Sequence, residues 1–215
     1  MSIKISPLLE CYAESNAKLG EVFGMKTVIS EVLPRIDAQD FIMDLSPVPK
    51  CLVVGGESRQ WIAEQIDDEL GDLFDCHLQK NGGFISEIIR DQFLAVNGTN
   101  QATWECFIEK FHAPDIRILT LPYDCAEFIV GGPNTWGLLH ALTSFDVDSL
   151  KPNQLSPMRI ATVDVYVLPY KNMLRVFCTP ADGYFLFNTV KTSVISGGGV
   201  SMGFNPSIDS LWVSN

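Results

Sequence analysis

The chain has 215 residues, 47% of them hydrophobic, enough to bury a substantial core and to exclude disorder throughout. Fifteen basic against 26 acidic side chains leave a formal charge of −11, which disfavours direct contact with nucleic-acid phosphates and favours basic partners. No apolar leader opens the sequence and no run is long enough to span a bilayer, so a cytosolic setting without a membrane partner is expected.

Pro7 begins a partial helical pattern in Lys4–Phe23, carried by Leu8, Leu9, Tyr12 and Leu19, which reads as a short helix or arm. Val28–Leu33, Ala38–Leu45 and Cys51–Val54 are extended pieces separated by Pro34, Pro47 and Pro49, and suggest a projecting hairpin. Ser58 opens the clearest helical pattern, with Trp61, Ile62, Ile66, Leu70, Leu73 and Phe74 on one stripe and Asp67, Asp68, Asp72 and Asp75 among the other positions; it extends to Leu78. Asn81-Gly82-Gly83 breaks it, Phe84, Ile85, Ile88, Ile89 and Phe93 start a second helical segment that ends near Asn97-Gly98, and Trp104–Phe111 reads as a third.

Ile116–Leu121 has strand character, and Phe128-Ile129-Val130 reads as a buried strand feeding, through Gly131-Gly132-Pro133-Asn134, a helix that carries Trp136, Leu139 and Leu142. A polar, proline-bearing loop follows Phe145. Ile160–Val167, Met173–Cys178, Gly183–Val190 and Ile208–Val213 read as strands, so the fold class is α+β with its sheet mainly in the second half.

Chemical motifs are sparse. The six cysteines lie far apart, without zinc or redox spacing, and read as buried thiols. His77, His112 and His140 have no second histidine at metal-ligand spacing. The turns at Gly55-Gly56 and Gly131-Gly132 lack the phosphate-loop pattern, so no cofactor is expected. The acidic positions Asp67, Asp68, Asp72 and Asp75 would supply paired carboxylates for a divalent metal or hydrolysis, but a solvated or docking helix face is the favoured reading.

Ala126–Asn134, followed by Leu138 and Leu142 on a helix, resembles the strand–turn–helix of the axial domain in tailed-phage major capsid proteins of the HK97-like fold, myovirus-like branch. Val163–Tyr170 and the strand at Leu174–Phe177 resemble the late strand and Pro-Tyr turn of that branch, with Leu168 where the family often has Asp. The resemblance implies an HK97-like capsid fold: residues 1–26 as N-terminal arm, 27–56 as extended β loop, 57–115 as peripheral domain with its spine helix, and 116–215 as a mixed α/β axial domain with returning strands.

The function it implies is a non-enzymatic shell protein that self-assembles into a virion head in the host cytoplasm. Its partners would be copies of itself in pentamers and hexamers, with other capsid or scaffold proteins. Phe41, Trp61, Asp67, Asp68, Asp72, Asp75 and Trp212 are the expected interface residues. Lys50, Lys171 and Lys191 match no crosslinking pattern. A minor capsid, vertex or decoration protein is one alternative. A cytosolic enzyme with a dispersed site is another, with Asp67, His140 and Cys125 as candidate residues.

Overall fold

A computed structural model of the chain describes residues 4–13, 17–35, 37–66, 69–78, 83–98, 115–120 and 125–209. The chain runs through β1 (Lys4–Ile5), β2 (Leu19–Val22), β3 (Met25–Val28), β4 (Phe41–Asp44) and β5 (Lys50–Val54) to helix α1 (Ser58–Ile66). It continues through β6 (Cys76–Leu78), β7 (Phe84–Ile89), β8 (Gln92–Val96), β9 (Arg117–Thr120) and β10 (Ala126–Gly131) to helix α2 (Thr135–Leu142). Then come β11 (Ser156–Ile160), β12 (Val163–Tyr170), β13 (Met173–Cys178), helix α3 (Pro180–Ser196) and β14 (Val200–Met202).

Two units divide these elements. Unit 1 comprises Met1–Pro47, Tyr123–Pro152 and Ser156–Asn205; unit 2 comprises Val48–Pro122, Asn153–Leu155 and Pro206–Asn215. Unit 1 holds a six-stranded sheet in the order β11-β12-β13-β10-β4-β14, antiparallel except where β14 lies parallel to β4, and a small sheet in the order β1-β3-β2. One face of the large sheet presents Ile42, Phe128, Val130, Val165, Val167, Leu174 and Val176 to a core completed by Leu186, Phe187, Val190 and Val194 of α3. Alternation of inward and outward side chains along each strand puts these residues on one face. Unit 2 is a five-stranded antiparallel sheet, β6-β7-β8-β5-β9, with Ile62 of α1 joining Cys51, Val53, Ile85, Phe93 and Ala95 in its core.

The expected capsid elements are absent from this arrangement. β3, β4 and β5 belong to three different sheets, so Thr27–Val54 is no projecting hairpin; all four residues of β4 are buried between β10 and β14. The N-terminal segment is no free arm either, since Leu8, Cys11 and Tyr12 are built into the unit 1 core. The spine helix stops at Ile66. Beyond it Gly71 interrupts, the Asp72 amide donates to Asp75 Oδ2 at 3.0 Å, and Phe74 adopts φ 71°, so local side-chain bonding replaces the helical ladder.

Phe84–Phe93 forms a hairpin instead of a helix, turning at Arg90-Asp91 with Asp91 at φ 61°. Its β-branched residues suit a strand buried on both faces. The reverse error falls on Gly183–Val190, which lies within α3. There Thr179 caps the helix by accepting from the Asp182 amide, Pro180 occupies the first turn, and Gly183, Leu186, Phe187, Val190 and Val194 are buried at helical spacing. The expected helix at Trp104–Phe111 lies outside the described residues. So does most of the expected terminal strand, whose described start is a 3-10 turn at Pro206–Asp209.

The strand–turn–helix at β10 and α2 is as expected, and its glycines have a packing cause. Gly132 has φ 127°, and a Cβ there would stand 2.4 Å from Asp40 Oδ1 and 2.5 Å from Asp40 Cα. Gly137, in the middle of α2, has nothing within 4 Å of such a Cβ. The two Gly→Ala changes should therefore have opposite signs. Gly132→Ala should lower the stability read from urea unfolding by about 2 kcal/mol or more, and Gly137→Ala should raise it by up to about 1 kcal/mol.

Candidate functional site

Three segments of unit 1 meet at its cavity. β3 ends at Val28, and beyond it Ile29 bridges Phe204 in parallel while the Phe204 amide donates to the Val28 carbonyl at 2.7 Å. Gly203 permits this approach, because a Cβ there would lie 2.6 Å from the Ile29 carbonyl carbon. The Val200 amide donates to Asp40 O, which fixes β14 beside the start of β4. The N-terminal 3-10 turn Leu9–Tyr12 supplies the third segment.

Between them opens a cavity of about 560 Å³, lined by Tyr12, Val28, Ile29, Leu33, Val200 and Met202, with Ser30, Val32, Arg35 and Gln39 also on its wall. That volume suits a small organic ligand. Arg35 is the one charged side chain among the lining residues. No described carboxylate pairs with it. The nearby Glu31 is instead held by Lys18 at 2.5 Å, whose hydrogen bond and charge keep the Glu31 carboxyl below its usual range. Gln39 Nε2 reaches Gly198 O at 3.3 Å and ties the rim to the end of α3.

Behind the cavity Tyr12 is fixed from both sides: its hydroxyl donates to Met202 O at 2.8 Å and accepts from the Asp44 amide at 3.2 Å. Its ring packs on Phe187 at 5.5 Å between centroids, and Lys191 Nζ stands 5.7 Å from its centroid. Burial and the nearby Asp44 push the Tyr12 phenol well above its ordinary value, so the hydroxyl stays protonated and keeps its proton on Met202 O. Asp44 itself is wholly buried. Its Oδ2 accepts from Ser6 Oγ and from Thr27 Oγ1 at 3.0 Å, its Oδ1 from the Ser46 amide at 2.8 Å, and burial raises its pKa despite these bonds.

The three buried thiols among the described residues are equally quiescent. Burial pushes Cys11 up to about 11 and Cys51 and Cys178 up to about 12, which removes the thiolate a nucleophile requires. Among the described residues no group of three or more His, Cys, Asp or Glu could hold a metal ion, and no helix is long and apolar enough to cross a membrane. The arrangement can bind and orient a small molecule and donate hydrogen bonds to it.

The residues singled out from the sequence lie elsewhere. Phe41 is 0% exposed and packs on the Gly131 backbone. Trp61 is half-buried against the unit 2 core. Asp72 and Asp75 are brought together in the loop before β6, where Asp75 Oδ1 accepts from Gln154 Nε2 at 2.9 Å; Asp67, Asp68 and Trp212 lie outside the described residues. His140 is exposed, 3.4 Å from Asp148, and Cys125 Sγ lies 3.6 Å from Ala126 O. The Gly131–Asn134 turn already holds an internal anion, since the Asn134 amide and Nδ2 donate to the Asp40 carboxylate at 2.8 and 3.0 Å. Sequence reading missed Tyr12, Arg35 and Met202, whose shared signal is tertiary.

Because the folded pKa of Asp44 lies above its ordinary 3.8, the native state holds its proton where the unfolded chain has lost it. Its contribution is therefore most favourable below that ordinary value and declines as pH rises through the folded pKa, by at most about 1.4 kcal/mol per pH unit. Asp44→Asn preserves the shape and removes this titration. Urea midpoints compared between pH 4 and 8 should show wild type losing ground to the variant as pH rises; parallel profiles would contradict the buried, destabilised carboxylate.

No family model matches the chain, and no curated protein matches it in sequence. Solved structures do match in fold. Aminomethyltransferase T of the glycine cleavage system from Bartonella henselae superposes with a TM-score of 0.71 and 13% identity, covering 99% of this chain and 62% of that one. The chain thus spans less than two thirds of that protein. A chain of heterotetrameric sarcosine oxidase from Corynebacterium sp. U-96, solved in complex with pyrrole 2-carboxylate, gives a TM-score of 0.58 and 11% identity over 81% of this chain and 85% of that one. These likenesses overturn the HK97-like fold and the readings drawn from it: virion shell, minor capsid, vertex or decoration protein, and a non-enzymatic chain. The mixed α/β sheets are those of the aminomethyltransferase fold.

Proposed function

We propose that this chain is an enzyme of small amino-compound metabolism, or the ligand-holding subunit of one, with its binding site in the unit 1 cavity. The supporting observation is the cavity at Tyr12, Val28, Arg35 and Met202, set in a fold whose solved examples include an aminomethyltransferase and a sarcosine oxidase chain. The near-equal mutual coverage with the sarcosine oxidase chain favours the subunit form. In that form this chain binds and orients the ligand, and the bond-making groups come from a co-reactant or partner. The protonated state of Tyr12 and of the buried thiols agrees with such a division of labour.

The test is a panel of amino and N-methylamino acids, glycine and sarcosine included, offered to the purified protein and followed by thermal shift and by proton NMR for binding and consumption. At least one member should raise the melting temperature by a few degrees at millimolar concentration, as linkage requires of a ligand specific for the native state. If no member binds, the reading is overturned.

A further inference from the structure

We propose that the unit 1 cavity takes an organic carboxylate with an apolar body, its carboxylate on Arg35 and its body over Tyr12 and Met202. This deepens the function proposed above and rests on it for the choice of site. Two independent features converge. Val28, Ile29, Leu33, Met202 and the Tyr12 ring form an aliphatic and aromatic part of the wall, beside the polar Ser30, Gln39 and Ser201, so an apolar body laid on that part gains by leaving water. The single charge on the lining is a guanidinium, whose planar fork matches a carboxylate with two parallel hydrogen bonds.

The Arg35 side chain also has no partner among the described residues, whereas those of five other cations do. Lys18 is on Glu31, Arg59 on Glu87, Arg159 on Asp164, Arg175 on Glu127, and Lys191 donates to Cys11 O. A guanidinium without a described carboxylate partner on the lining of the cavity is placed for an anion from outside.

The probes are pyrrole 2-carboxylate, its neutral amide, and acetate, titrated by calorimetry into the full chain. Pyrrole 2-carboxylate should bind at least about tenfold more tightly than either the amide, which lacks the charge, or acetate, which lacks the body. Arg35→Gln should erase the preference over the amide. Val32→Glu, at a lining position 69% exposed, should weaken the carboxylate by a similar factor without disturbing the core. Equal binding of acid and amide, or an unchanged preference in Arg35→Gln, overturns the proposal. If the carboxylate binds through Arg35 while no amino compound binds, the amine reading falls and the site stands. If amino acids bind and Arg35→Gln leaves them unaffected, the site falls and the amine reading stands.

Discussion

Strand β4 carries a buried aspartate at its end and another just before its start, and unit 1 is tied together through these two carboxylates. Asp40 accepts from the backbone and side chain of Asn134, fixing the turn that starts α2, while its own carbonyl accepts from Val200 and aligns β14. Asp44 gathers Ser6, Thr27 and Ser46, drawing the N-terminal segment and β3 onto the sheet, and its amide holds the Tyr12 hydroxyl. Neither carboxylate has a cation among these partners; hydrogen bonds offset the cost of burial. The cavity depends on both, since Asp44 sets its Tyr12 floor and Asp40 its β14 wall.

A second buried charge guards the register of the same sheet. Glu127 on β10 and Arg175 on β13 are 0% and 3% exposed at their side chains, and Arg175 Nε donates to Glu127 Oε1 at 2.6 Å. Both point to the face opposite Phe128 and Val176. A one-residue slip of either strand would carry a charge into the apolar core beneath α3, so the pair excludes that alternative. Its net contribution to stability is small compared with the cost of breaking it, about 3–5 kcal/mol when one partner is removed. Arg175 Cζ also stands 5.7 Å from the Phe177 ring centroid, an added constraint on its orientation.

Local patterning made β10, its glycine turn, α2, β12 and β13 legible, because each carries a short apolar run bounded by turn residues. It failed where two periodicities compete. Phe84-Ile85-Ser86-Glu87-Ile88-Ile89 satisfies a helical stripe as well as a strand, and its burial is decided by the pairing with β8. Phe185-Leu186-Phe187 has strand composition, yet the Thr179-Pro180-Ala181-Asp182 cap and the spacing from Gly183 to Val194 place it on a helix. The capsid resemblance rested on a strand–turn–helix that unrelated folds share, and the order of elements could not reveal that β4 pairs with β14 some 160 residues later. The cavity was illegible for the same reason. Tyr12, Arg35 and Met202 are distant in sequence and share no spacing.

The charge balance of the chain bears on how such a cavity selects its ligand. A formal charge of −11 repels anions at long range, so nothing in the overall field steers a carboxylate toward this surface. At physiological ionic strength that field is screened beyond about 8 Å, and what an arriving ligand feels is the nearest side chain. On the cavity lining that side chain is Arg35, the one charged residue there, while Glu31 is paired with Lys18. Selection for an anion is then a short-range property of a single fork-shaped donor on a wall of mixed polarity. The acidic remainder of the surface keeps highly charged polyanions away while leaving a monovalent carboxylate, once docked, to the local geometry.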